Sequence, residues 1–141
     1  MGRILALDYG LRRTGVAVSD PLRIIAGALD TVQTPSLMKF LKDYISSNQV
    51  DIIVVGMPKQ MNGQPSESFT AIEPFVAKLA KQFPEITIEM FDERFTSVLA
   101  HRAMLDGGLK KMQRRDKALV DRISATIILQ DYLESKKYKS L

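Results

Sequence analysis

The chain has 141 residues, 45% hydrophobic and 26% charged, which is the balance of a globular protein with one core. With no cysteine and one histidine, His101, it excludes disulfides, thiolate-zinc sites, thiol catalysis and histidine-rich metal centres, so any metal must be held by oxygen ligands, as suits Mg²⁺ or Mn²⁺. The net charge of +4, weighted to the second half, is compatible with a polyanionic partner, and no apolar run approaches the roughly 18 residues of a membrane span.

Met1-Gly2-Arg3 leads straight into a strand, so no signal peptide and a cytoplasmic location are expected. Arg3–Asp8 is the first strand. Its unbroken apolar run, Ile4-Leu5-Ala6-Leu7, reads as buried on both faces, with Asp8 at the tip. Thr14–Asp20 follows a turn containing Gly10, and Arg23–Gln33 follows a turn at Asp20-Pro21. Such short connections imply an antiparallel meander.

Thr34 reads as the N-cap of a helix with Pro35 at its first position and an apolar face of Leu37, Phe40, Leu41, Tyr44 and Ile45. Asp51–Gly56 is a fourth, buried strand. A helix over 66–82 is irregular at Pro74, and Glu85–Phe91 is the fifth strand. Thr96–Leu105 reads as a helix stopped by Gly107-Gly108. Lys117–Ser135 is a long last helix capped by Asp116, with Lys136–Lys139 as a frayed end. Strands joined through helices pair in parallel, so the sum is an α/β fold. It is a five-stranded mixed sheet of order 3-2-1-4-5, with helices on both faces, in one domain spanning 1–141.

A carboxylate at the tip of a buried strand is costly unless a metal ion, a hydrogen-bond donor or a phosphate loop faces it. Taken alone, an acidic residue at a strand end such as Asp8 is more often a turn former. Asp92 and Glu93 end strand 5, on the sheet edge where strand 1 also ends. Asp121 shares a helix ridge with Ala125, Ile128 and Tyr132, an inward-facing stripe. The conjunction of Asp8, Glu93 and Asp121 raises the functional reading. Like charges about 4 Å apart repel by about 4 kcal/mol at an effective dielectric near 20. One or two divalent cations relieve that repulsion and serve phosphodiester hydrolysis. Asp92 and Glu93 point to opposite faces by alternation, so one of them joins the site; Glu93, with the longer reach, is favoured.

Lys59, after strand 4, is a phosphate contact or a solvated loop lysine. Arg94 and Thr96, after strand 5, are phosphate ligands, unless Thr96 or Ser97 caps the next helix. Lys110–Lys117 holds Lys110, Lys111, Arg114, Arg115 and Lys117 behind two glycines, the pattern of a basic loop that tracks a nucleic-acid backbone. No aromatic stacking platform is evident, so RNA and DNA are not distinguished.

Four ordered motifs run along nearly the whole chain: Leu7-Asp8-Tyr9-Gly10 with Arg13–Asp20, Val55-Gly56-Met57-Pro58 with Asn62-Gly63, Asp92–Ser97, and Val120-Asp121 with Ala125 and Ile128–Gln130. Together they resemble the YqgF/RuvX family. The resemblance implies a ribonuclease H-like fold and an acidic site at Asp8, Glu93 and Asp121. It further implies a nuclease that matures the 5′ end of pre-16S rRNA or resolves Holliday junctions. Strand 4 ends in Gly56-Met57-Pro58 without the carboxylate of the wider resolvase pattern, so the second acid must come from strand 5. The leading expectation is a metal-dependent endonuclease using Mg²⁺ or Mn²⁺, acting on pre-rRNA or branched DNA as a monomer or homodimer. The alternative is a non-catalytic nucleic-acid-binding ribosome-assembly factor. Asp8-Tyr9-Gly10 with Gly15 also resembles a nucleotide-binding phosphate motif, but that arrangement needs two such domains around a cleft.

Overall fold

Strand β1 (Arg3–Asp8) has Ile4, Leu5, Ala6 and Leu7 buried in succession, so neither of its faces meets water. The computed structural model describes residues 2–57, 67–92 and 117–139, with side chains for 2–56, 71–91 and 122–134. The other elements are β2 (Arg13–Ser19), β3 (Ala26–Gln33), a 3₁₀ turn (Thr34–Ser36), α1 (Leu37–Ser47), β4 (Val50–Met57), α2 (Glu67–Gln82), β5 (Thr87–Asp92) and α3 (Lys117–Lys139). The helix expected over 96–105 lies outside the described residues.

The sheet order is β3-β2-β1-β4-β5, as expected. β1 pairs antiparallel with β2, and β2 with β3; β4 runs parallel to β1, and β5 parallel to β4. Hence β1, β4 and β5 all end at one edge of the sheet. Alternation divides the core. Leu5, Leu7, Val16, Ile53 and Val55 pack under α1 and α2, against Leu37, Leu41, Ile72, Phe75 and Leu79. Ile4, Ala6, Ala17 and Val54 pack under α3, against Ala125, Ile128, Leu129, Tyr132 and Leu133. The small Ala6 and Ala17 let α3 approach closely, and the helix covers β1, β2 and β3.

Several boundaries differ from expectation. β3 begins at Ala26 rather than Arg23, because Asp20 captures the backbone that would extend it. Its Oδ1 accepts the Ile24 and Ile25 amides at 2.7 and 2.9 Å, and its carbonyl accepts the Arg23 amide at 2.9 Å. Arg23 sits at φ 60°, a conformation that costs a non-glycine residue roughly 1–3 kcal/mol. Its guanidinium offsets this by donating to the Gly2 carbonyl at 3.0 Å and to Asp51 at 2.8 Å. Thr34 does not cap α1. The helix starts after Ser36 with no side-chain cap, and the Thr34 hydroxyl is used elsewhere. β5 starts at Thr87 because an Ile86 amide to Phe83 carbonyl turn (3.1 Å) takes up the residues before it. Lys136–Lys139 continue α3 rather than fraying. Among the described residues no helix is long and apolar enough to cross a membrane.

Leu41→Ala, at a fully buried position, is expected to cost about 2–5 kcal/mol in urea unfolding, whereas Ile24→Ala, 60% exposed, should stay within about 0.5 kcal/mol. The Gly2 amide first, then Gln49 and Arg23, hold the Asp51 carboxyl below the usual carboxylate range. A depressed carboxyl stabilises the fold above its unfolded value of about 3.9 and loses that contribution as pH falls through the lowered value. The stability gap between wild type and Asp51→Asn should therefore be full at neutral pH. It should narrow below about pH 4, read by denaturation across pH.

Candidate functional site

Asp8 closes β1 at the edge where the parallel strands end. Its parity is that of Ile4 and Ala6, so it lies on the face covered by α3 and is partly buried. Its two neighbours across the sheet are both glycine. Asp8 pairs with Gly15 on β2, and the Leu7–Val55 pairing puts Gly56 beside it on β4. Beyond Gly56, in register, comes Phe91. The row Gly15–Asp8–Gly56–Phe91 thus has no side chain on either side of the carboxylate. The next row on this face, Ala17–Ala6–Val54, does carry side chains; their absence beside Asp8 leaves room for a ligand where cross-strand side chains normally touch.

The turn after Asp8 is fastened. Thr34 supplies its amide to the Arg12 carbonyl (2.9 Å) and its hydroxyl to the Gly10 carbonyl (2.6 Å). Its single proton is thereby used, so the 3.0 Å contact between hydroxyls has Thr14 donating to Thr34. Thr14 is fully buried, so this chain of bonds sits in low dielectric, where it is strong and costly to break. Gly10 packs so closely on the Arg13 carbonyl that a Cβ there would overlap it. Tyr9 turns to the opposite face from Asp8 and stacks on Phe75, with centroids 4.7 Å apart and rings inclined by 27°. Burial raises the Tyr9 hydroxyl pKa, so it stays a proton donor at neutral pH. This ring pair is a feature the sequence did not make evident. It is built from residues far apart in the chain, and no local pattern announces it.

Of the site residues expected from the sequence, Asp8 is the one whose side chain is described. Asp121 lies in the second turn of α3, one turn before Ala125 on the stripe that packs over Ile4, Ala6 and Val54. Asp92 is the last residue of β5, in register with Met57. The side chains of Asp121 and Asp92 lie outside the described set, as do Glu93, Lys59, Arg94, Thr96, Arg114 and Arg115 altogether. Among the described residues, no three acidic or histidine side chains gather into a metal-holding group. The parity of β5 is clear. Ile88 packs under α1 and α2, whereas Phe91 meets Tyr132 of α3 edge-on at 6.4 Å. Glu89 is beside that tyrosine; burial first, and then the Glu89 carboxylate, raise the Tyr132 hydroxyl well above its usual value. Arg12, exposed on the fastened turn, is a cation at this edge that the sequence reading passed over.

A parallel-strand edge and a carboxylate between glycines, on a face covered by α3, are joined by a sequence match. The profile of the RuvX family, described as Holliday junction resolvase, matches residues 2–135. The chain belongs to the RuvX family. Its relatives include a protein of Phocaeicola vulgatus that is 63% identical, the match covering 98% of this chain and 99% of that one. A Bacteroides thetaiotaomicron protein is 59% identical, over 98% of this chain and 100% of its own. Both carry the name "Putative pre-16S rRNA nuclease". The solved structure of T. thermophilus RuvC in complex with Holliday junction substrate superposes with a TM-score of 0.60. It is 13% identical, with 96% of this chain and 97% of that one covered, and it establishes for this RuvX member the ribonuclease H-like fold.

Gly10→Ala is expected to destabilise the protein by about 1–3 kcal/mol, the usual cost of forcing atoms into a packed site. Chemical denaturation checks this, and Gly27→Ala, where the nearest atom to an added Cβ is 3.8 Å away, serves as the control with a smaller loss.

Proposed function

We propose that this RuvX member is a divalent-metal-dependent endonuclease that hydrolyses phosphodiester bonds, with the 5′ end of pre-16S rRNA as its substrate. The observation that carries the reading is Asp8: a partly buried carboxylate at the end of the central strand, flanked by Gly15 and Gly56, at the edge where three parallel strands finish. The relatives' shared name supports the choice of RNA.

The donor set fits a hard cation. The chain offers carboxylates and no thiol, and its single histidine is too few for a nitrogen site. Asp8, Glu93 and Asp121 are the residues assigned to hold one or two ions. Glu93 is preferred to Asp92 for the longer reach of its side chain. When bound, Mg²⁺ or Mn²⁺ would supply the charge that activates water and stabilises the leaving oxygen. The protein's own part is positional. The Thr34 hydrogen bonds fix the turn that follows Asp8, so the carboxylate is held before substrate arrives. Arg12 and the assigned phosphate contacts Lys59, Arg94, Thr96, Arg114 and Arg115 would grip the backbone on either side of the scissile bond.

A four-way DNA junction is the second reading, favoured by the family's description as a resolvase. Side-by-side incubation of a pre-16S 5′ fragment and a four-way junction with Mg²⁺ or Mn²⁺, with and without EDTA, separates the two. Cleavage of the RNA alone, abolished by EDTA, is the expected outcome. Tight RNA binding with no cleavage under any condition would instead make the protein an assembly factor. Asp8→Asn should lower cleavage by more than about a hundredfold, beyond what loss of a metal's outer partner costs. The same variant should keep the melting temperature in EDTA, since asparagine has the shape of aspartate and still offers a hydrogen-bond acceptor.

A further inference from the structure

On the α1/α2 side of the same edge lies a cleft of about 340 Å³, within the range of small-ligand sites. Its walls include the Tyr9–Phe75 ring pair, Leu11, Met38 and Pro74, with Thr34 and Lys78 as polar groups. Among the described residues lining it none is acidic, and Lys78 is the charged one. The larger cleft at the opposite edge, about 470 Å³, carries Asp51 and Glu85 and so disfavours an anion. The β3–α3 cleft, bordered by Asp131 and Glu134, disfavours one equally.

Tyr9 follows Asp8 directly, so their Cα atoms are about 3.8 Å apart while their side chains leave by opposite faces. The carboxylate and the ring therefore stand on opposite sides of the sheet edge, farther apart than the Cα atoms, and a strand with a phosphate near Asp8 has to bend over that edge before one of its next bases reaches the ring pair. A base suits the walls: its faces are flat and apolar, its edge carries acceptors for the Lys78 ammonium and the Tyr9 hydroxyl, and its phosphate is drawn to Lys78. The Thr34 bonds to Gly10 and Arg12 hold the Tyr9 turn in place, so little ordering is left for binding to accomplish.

We propose that this cleft receives an unpaired base of the bound strand, close along the strand to the phosphate at the Asp8 cation site, and so sets where along the strand the cut falls. The proposal rests on the nuclease reading, and two separate measurements keep their failures apart. The first uses pre-16S fragments with an abasic nucleotide at each position flanking the mapped cut, cleaved by the wild type, Tyr9→Leu and Lys78→Ala. One abasic position should raise KM about tenfold for the wild type, the scale of one lost base–aromatic stack, with a smaller change in kcat. Tyr9→Leu should start with the raised KM and be indifferent to that abasic position. Exposed Lys78→Ala should also raise KM while melting like the wild type. Cleavage that is equally sensitive to the abasic position in Tyr9→Leu, or insensitive everywhere in the wild type, overturns the cleft and leaves the nuclease reading intact. The second measurement is titration of the labelled protein with millimolar adenosine or uridine monophosphate, read by amide shifts. Shifts gathered at Tyr9, Thr34, Met38 and Lys78 uphold the cleft even if no substrate is cut. Shifts absent there overturn it.

Discussion

Strand β1 is paired along both edges and covered on both faces, and that double constraint organises the molecule. Its backbone is shared between an antiparallel and a parallel partner, so it cannot slip without breaking two ladders. Its side chains feed two separate cores, so a one-residue shift would exchange Leu5 and Leu7 for Ile4 and Ala6 and spoil both. The residue that ends such a strand is placed more rigidly than any loop residue could be. That residue is Asp8, and the turn after it is fixed in turn by Thr34.

The same alternation gives the edge two different faces. The α3 side carries Asp8 with glycine on each flank and leads toward the stripe that contains Asp121. The α1/α2 side carries Tyr9 on Phe75, with Lys78 beside them. One face suits hard cations and phosphate oxygens, and the other suits flat, weakly polar rings. On the proposed reading, successive residues at the end of β1 would address the two chemically unlike parts of a nucleotide.

Much of this was legible in the sequence because it is local. Four apolar residues before an acid announce a buried strand with a charged tip, and connection lengths fix which strands run antiparallel. What misled was also local. Ile24-Ile25 has strand propensity, but the Asp20 carboxylate takes both amides. Thr34-Pro35 has the signature of a helix start, but the Thr34 hydroxyl gains more from the Gly10 carbonyl and buried Thr14 across the fold. The Tyr9–Phe75 stack joins distant segments and had no sequence signal. Gly56 read as the missing carboxylate of a wider pattern; in the sheet it is the space beside Asp8.

The central claim is that a divalent cation is held at Asp8, and paramagnetic broadening by Mn²⁺ tests it most directly. Titrated into labelled protein at substoichiometric Mn²⁺, the amides of Asp8, Tyr9, Gly15, Gly56 and Asp121 should broaden first. Excess Mg²⁺ should reverse the effect, and Asp8→Asn should abolish it. Broadening that instead centres on Asp51 and Glu85 at the opposite edge, or that survives Asp8→Asn unchanged, would contradict the account.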